Sequence, residues 1–313
     1  MHSVQVKRAV LVVALLGGIL PASAFAWGGR YPTGDVYGST IQINVSSTYP
    51  VDQALPQAWA TFFGTLVHGR EIATVTVDLA PLDEVQQFCG PQALACYDPR
   101  SKTLEASPED QLNAPSAREV VTHEYGHHVA NSSLNSPFDA EAYGTKRWAS
   151  YMNICKRAVA GELFPGDEGE NYQENPGEGY AEAYRVLNLT KQGATSIGWD
   201  IVDPDLYPNA TALALLEQDI TSPWVGPTLS HVHGSFGNGS VRTIQAKTAL
   251  DGSFVARLHA PTKSRMRLAL YAGGRLVAGG TTVRYSICGQ RSLTLKVERV
   301  SGRGAFTVDI SKP

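Results

Sequence analysis

The stretch "VVTHEYGHHVANS" (Val120–Ser132) sets three histidines and a glutamate within six consecutive residues. Pro115 and the pair Ser116/Glu119 stand just before it, the pattern of a capping box that opens a helix. Helical spacing continues to about Asn131, and Pro137 closes the segment. On such a helix His123 and His127 lie one turn apart on one face, so their imidazoles can converge on one ion. Glu124 points to the side of that pair and can reach a water on the ion without being a ligand. The arrangement is HExxH: two zinc ligands and a general base. Gly126 removes a side chain between the ligands, where another backbone can approach. His128 points off the ligand face and reads as structural or exposed. The plain alternative, a polar helix that carries the pattern by accident, is disfavoured by the helix signals around it.

A catalytic zinc ion takes three protein ligands and keeps one position for water. The longer pattern HExxHxxGxxH fails here, because Ala130 and Ser133 stand at its last two positions. The third ligand must come from elsewhere, and "NPGEGYAEAYR" (Asn175–Arg185) is the best source. Asn175 suits an N-cap and Pro176 the first helical position. Glu178, Glu182 and Arg185 then share one helical face. One carboxylate can bind the ion, while the other accepts a ligand histidine's free N–H and fixes its tautomer. Ala181, between them, allows tight packing of two helices. Simpler roles exist: Glu178 could only close a capping box with Asn175, and Glu182 with Arg185 could be a surface ion pair. The need for a third ligand favours Glu178. His231 and His233 compete for that role but sit in an apparent linker.

At these residues the chain resembles the gluzincin class of zinc metallopeptidases. "HEYGH" (123–127) looks like its zinc helix, and "EGYAEAYR" (178–185) is similar to the second helix of the anthrax lethal factor and Pro-Pro endopeptidase group. The resemblance follows the order of elements from Ser39 to Asp219, but only the two helices carry specific motifs. It implies Glu178 as third ligand, Glu182 as support for a ligand histidine, one catalytic Zn2+ and Glu124 as base. It also implies an α+β zincin-like catalytic domain whose edge strand, placed within Leu94–Ser107, holds an extended peptide. That group carries a tyrosine seven residues before the third ligand; here the position is Asn171, and Tyr172 follows it. Tyr172 is the candidate to steady the reacting oxygen. Tyr180 and Tyr184 are alternatives that fit core packing better. The expected activity is that of a secreted zinc-dependent endopeptidase acting on polypeptide. Two other readings stay open: a secreted zinc-containing binding protein, and a zinc hydrolase of cell-wall amide bonds.

The rest of the chain frames this site. Lys7 and Arg8, an apolar run from Ala9 to Leu20 and small residues up to Ala26 have the layout of a signal peptide over residues 1–26. A secreted or envelope location follows, with no integral membrane segment in the mature chain. Strands are expected at Ser39–Thr48 and Ile72–Ala80, and a hairpin over Leu94–Ser107. Helices are expected over Asp52–His68, Asp139–Ala160 and Ala210–Asp219, and residues 161–179 read mostly as loop. After the segment Ser222–Ser240 short β-rich runs alternate with turn signals, about seven strands in all, as in a small all-β sandwich.

Charge follows the same division. Residues 229–313 hold thirteen basic and three acidic side chains, whereas 27–228 hold eleven basic and twenty-six acidic. Two domains of opposite charge, 27–228 and 229–313, are expected to attract each other. The basic one could instead hold an anionic cell-surface or envelope partner. Export permits disulfides. Cys89 and Cys96 could close a short loop and Cys155 and Cys288 could staple the halves, but four cysteines allow three pairings.

Overall fold

The computed structural model describes residues 25–199 and 201–313. The signal-peptide reading of residues 1–26 rests on residues 1–24, which lie outside the described part.

"TIQINVS" alternates β-branched and polar residues, so one face of its strand is buried through Ile41, Ile43 and Val45. This is β2 (Thr40–Ser46), in a five-stranded sheet with β1 (Phe25–Pro32), β3 (Thr76–Leu79), β4 (Ala95–Asp98) and β5 (Thr103–Ala106). The order is β1-β2-β3-β5-β4. β2, β3 and β5 run parallel, and β1 and β4 pair antiparallel at the two edges. The expected hairpin over 94–107 is β4 with β5, and β4 is an edge strand. β1 was not expected, since its two glycines and a proline mask the pattern. Residues 70–74 form a 3-10 turn, so the strand expected from Ile72 begins only at Thr76.

Helices α1 (Ala54–Thr65), α2 (Leu82–Cys89) and α3 (Ala117–Asn131) flank the sheet. Phe63 of α1 and Val121 and Tyr125 of α3 share a core with Ile43, Val77 and Leu104. The helix expected over 139–160 is instead three short ones: α4 (Ala140–Tyr143), α5 (Lys146–Tyr151) and α6 (Ile154–Val159). Gly144 and Asn153, at φ 77° and 56°, adopt left-handed backbone that interrupts the helical run. α7 (Pro176–Lys191) and α8 (Ala210–Thr221) complete this part, each capped by the asparagine before it.

The C-terminal part is all antiparallel strand: β6 (Thr228–Ser235), β7 (Val241–Lys247), β8 (Gly252–His259), β9 (Arg265–Ala272), β10 (Arg275–Gly280), β11 (Thr282–Ile287), β12 (Ser292–Ser301) and β13 (Ala305–Lys312). They make two four-stranded sheets, β10-β9-β12-β7 and β11-β8-β13-β6. Phe254, Val283 and Val308 from one sheet share a core with Leu268, Leu270 and Leu295 from the other. There are thus eight strands rather than about seven. His231 and His233 lie not in a linker but on strand β6, which is largely exposed and so lacks the apolar alternation that would mark it. Altogether the chain has an α+β part followed by antiparallel sheets, and no described helix is long and apolar enough to cross a membrane.

Disulfides join Cys89 to Cys96 and Cys155 to Cys288. The second ties α6 to the end of β11. Beside it the Arg291 guanidinium donates to the Ser150 carbonyl and the Asp251 carboxylate. The Asp251 N–H donates to Ser150 Oγ at 2.9 Å. Among the described residues no ion pair joins 27–228 to 229–313. The expected attraction between opposite charges is therefore not expressed as paired side chains. The junction uses a disulfide and hydrogen bonds to backbone and hydroxyl groups.

The contact that positions the site is the crossing of α3 and α7. A methyl group at Gly126 would stand 2.9 Å from Ala181 Cα and 3.1 Å from the Ala181 carbonyl oxygen. Those are backbone atoms, which cannot swing aside. Gly126→Ala should therefore separate the helices and destabilise the fold by about 1–3 kcal/mol, outweighing alanine's helix propensity of about 1 kcal/mol. Thermal denaturation checks this: a lower Tm is expected, and an unchanged or raised Tm would show that the crossing is loose.

Candidate metal centre

α3 starts at the capping box foreseen from its sequence: Ser116 Oγ accepts from the Glu119 N–H, and the Glu119 carboxylate accepts from the Ser116 N–H at 3.1 Å. The helix is buried around most of its circumference, from Val121 to Ala130. A polar side chain in such a helix must find partners, and each of its histidines does.

α7 presents the complementary groups. Asn175 caps it through the Gly177 N–H at 3.0 Å, so Glu178 is not needed for the cap. The Glu178 carboxylate turns instead toward α3. Its Oε2 lies 3.1 Å from His123 Nε2, and its Oε1 lies 3.3 Å from His127 Nε2. The three side chains are buried, and their ligand atoms lie within 4.8 Å of one another. One further turn along α7, Glu182 Oε2 lies 3.0 Å from His123 Nδ1. The reading of Glu182 and Arg185 as a surface pair does not hold: both are buried, and Arg185 grips Glu182 through Nε at 2.9 Å and Nη2 at 2.6 Å. Arg185 also reaches Glu119 of the α3 cap at 3.3 Å, which ties the two helices together.

This geometry constrains protons. An ionised carboxylate only accepts, so Glu182 requires His123 to carry its proton on Nδ1. His123 Nε2 then faces the Glu178 oxygen as one acceptor against another, and something positive must sit between them. Without a metal that charge is a proton. Burial disfavours the imidazolium of His123, but its hydrogen bonds to Glu178 and Glu182 prevail and raise its pKa to about 10. His127 is raised in the same sense, with burial opposed by the Glu178 charge. Burial works against ionising Glu178, yet the two histidines hold its pKa well below the carboxylate range. Glu182 is held at about 2, burial being outweighed by Arg185 and His123. Two imidazole nitrogens and a carboxylate oxygen that converge in this way fit a divalent metal ion.

Glu124 is partly exposed and makes no hydrogen bond among the described residues. Burial raises its pKa, with the nearby histidine charges opposing. Tyr172 lies in the 3-10 turn 172–174 and donates to Glu178 Oε2 at 2.5 Å. It thus stands at the centre, though on the carboxylate. Tyr180 and Tyr184 are fully buried core residues, and Tyr184 donates to the Val67 carbonyl at 2.7 Å. His231 and His233 are on β6 and play no part here. Two acids went unnoticed in the sequence. Burial raises the pKa of both Glu141 and Glu168, and the Glu178 charge adds to it. The acid-rich loop over 161–179 was the only hint of Glu168.

His128 is structural, as foreseen. Its Nε2 lies 3.0 Å from the Glu71 carbonyl oxygen, which only accepts, so Nε2 carries the proton. Nδ1 then accepts from the Tyr97 hydroxyl at 3.0 Å. Burial pushes its pKa from 6.5 down to about 4.

No protein-family profile matches the chain, and no curated protein sequence does. Among solved structures, a periplasmic inhibitor of g-type lysozyme from Aeromonas hydrophila is 8% identical, with a TM-score of 0.25 over 28% of this chain and 89% of that one. The Yersinia pseudotuberculosis-derived mitogen is 19% identical, with a TM-score of 0.24 over 28% of this chain and 87% of that one. The thioester domain of the Enterococcus faecium TIE86 protein is 14% identical, with a TM-score of 0.15 over 52% and 69%. These likenesses are too weak to carry a fold or a function, and the chemistry rests on the residues themselves.

Two measurements follow. The metal-free pocket holds a proton on His123 at neutral pH, so loading a divalent ion must expel it. Calorimetric titration in buffers of different ionisation enthalpy should show net proton release; none would contradict the proton assignment. For His128 the folded pKa lies below the unfolded one, so below pH 6.5 the unfolded chain takes up a proton that the folded protein refuses. Stability should fall as pH drops from 6.5 toward 4, by up to about 3 kcal/mol from this group. Denaturant titrations across that range should show a shallower decline for His128→Gln than for the parent.

Proposed function

We propose that the chain is a secreted zinc-dependent endopeptidase whose catalytic part has a zincin-like fold. The observation that carries this reading is the convergence of His123 Nε2, His127 Nε2 and Glu178 on one point, with Glu124 alongside. Two histidines and one carboxylate are the donor set of hydrolytic zinc sites that keep a position open. Bound there, zinc would supply Lewis acidity, lowering the pKa of water to about 7 and polarising a carbonyl.

The chain's own residues do the rest. Glu124 takes the proton of the attacking water and returns it to the leaving amine. Its raised proton affinity suits a base better than that of a solvated carboxylate. Glu182, clamped by Arg185, keeps the His123 proton on Nδ1 and so keeps Nε2 for the ion. The Tyr172 hydroxyl, which donates to Glu178, would turn from that carboxylate to steady negative charge as it develops on the substrate oxygen. β4, the edge of the sheet beside α3, offers unpaired backbone groups to an extended peptide. The two disulfides suit an oxidising compartment. The basic C-terminal sheets suit an anionic envelope surface.

A binding protein with a purely structural ion has no use for Glu124. Digestion of a peptide library with and without chelator separates the two readings. Glu124→Gln should keep stoichiometric zinc and lose about 100-fold or more of hydrolysis. Full activity in that variant would falsify the assignment of the base. Glu178→Ala should weaken zinc binding more than Glu182→Ala, for which about 10–100-fold is expected. The reverse order would exchange their roles.

A further inference from the structure

The histidines that compete on paper for the metal belong to a different constellation. β13 lies between β6 and β8 in one sheet. Asp309 of β13 stands directly opposite His231 of β6, and Thr307 stands opposite both His233 of β6 and His259 of β8. Three histidines and one aspartate therefore occupy adjoining positions on the outer face of this sheet. His231 Nδ1 lies 2.7 Å from Asp309 Oδ1, and His259 Nε2 lies 2.9 Å from Asp309 Oδ2. His233 Nδ1 lies 3.0 Å from Thr307 Oγ1.

Stability does not explain this row. The side chains of His231 and His259 are 65% and 55% exposed, and exposed pairs contribute little to folding. The scaffold beneath them is firm, since β13 is paired on both sides. Asp309 is one of only three acids in residues 229–313, and each of its two oxygens takes one imidazole nitrogen.

We infer that His231, His259 and Asp309 form a second metal site, for a divalent transition ion such as Cu2+ or Zn2+. The two nitrogens rest on different oxygens of the carboxylate, so both rings must turn toward a common point to share an ion. Their exposure leaves them room to do so. Arg257 faces Asp309 in the register of β8 and places a positive charge beside the site. That charge disfavours hard cations held by charge alone, such as Ca2+ or Mg2+. It selects ions that gain most from imidazole nitrogen, with Cu2+ ahead of Zn2+. His233, two residues from His231 on the same face, stands next to the remaining coordination positions. The site is independent of the proposed peptidase activity, because it shares no residue with His123, His127 and Glu178.

The test is metal stoichiometry on the purified, metal-stripped chain dialysed against Zn2+ alone, and electron paramagnetic resonance after addition of Cu2+ alone. The parent should bind two zinc ions. The double variant His231→Ala/His259→Ala should bind one fewer, keep the parent's Tm and lose one of the parent's two nitrogen-coordinated Cu2+ signals. Asp309→Asn should weaken the second ion about tenfold. His123→Ala/His127→Ala should retain the second ion while losing the first. A His231→Ala/His259→Ala variant that matches the parent in stoichiometry and affinity would overturn the inference, whichever count the parent itself shows. If His123→Ala/His127→Ala fails to fold, comparing the parent with the exposed-face variant still decides.

Discussion

Two imidazole nitrogens lie 3.1 and 3.3 Å from the oxygens of one carboxylate inside a helix crossing, and they do not fit together without a shared positive charge. Most of the first part of the molecule serves that convergence. Gly126 and Ala181 bring the axes of α3 and α7 close enough for Glu178 to span both histidines. Any side chain larger than hydrogen at Gly126 would open the crossing and pull the carboxylate away. Helix packing and the convergence of these three side chains are therefore one constraint here.

Around that point the polar groups form a chain. The His123 Nδ1–H donates to Glu182, Glu182 is held by Arg185, and Arg185 reaches back to the capping glutamate of α3. The loop is closed across two helices more than fifty residues apart in sequence. His123, Glu182 and Arg185 are buried, so the bonds among them are strengthened by low dielectric and costly to leave unmade. Such a network fixes a tautomer and a ring orientation before any ion arrives. The Glu124 side chain stands apart from it, without a hydrogen-bond partner among the described residues.

Much of this was legible in the sequence because it is locally encoded. Histidines four apart, a capping box at Ser116 and an asparagine–proline start at 175–176 act within one or two turns, so spacing alone places them. The β4–β5 hairpin likewise follows from its turn residues. What was not legible depends on distant packing or on backbone exceptions. Gly144 and Asn153 split one expected helix into three through left-handed φ angles, although Asn153 had no local mark as a breaker. β6 escaped notice because an exposed strand carries no apolar alternation. The burial of Arg185 depends on the segment after α7, whose Gly198 carbonyl it meets at 2.6 Å, and the approach of Glu141 and Glu168 to the centre depends on how α4 and the loop before α7 pack there. Tyr172 was named for its place near the third ligand, and only the 3-10 turn at 172–174 shows that its hydroxyl meets Glu178.

The central claim is that one divalent ion sits between α3 and α7 on three protein side chains. Anomalous diffraction at the zinc absorption edge, from crystals of the zinc-loaded protein, tests it directly. A single strong peak within bonding distance of His123 Nε2, His127 Nε2 and the Glu178 carboxylate is expected, at about 2.0–2.2 Å from each. An ordered, zinc-soaked crystal with no peak between these residues, and Glu178 turned away from the histidines, would contradict the account.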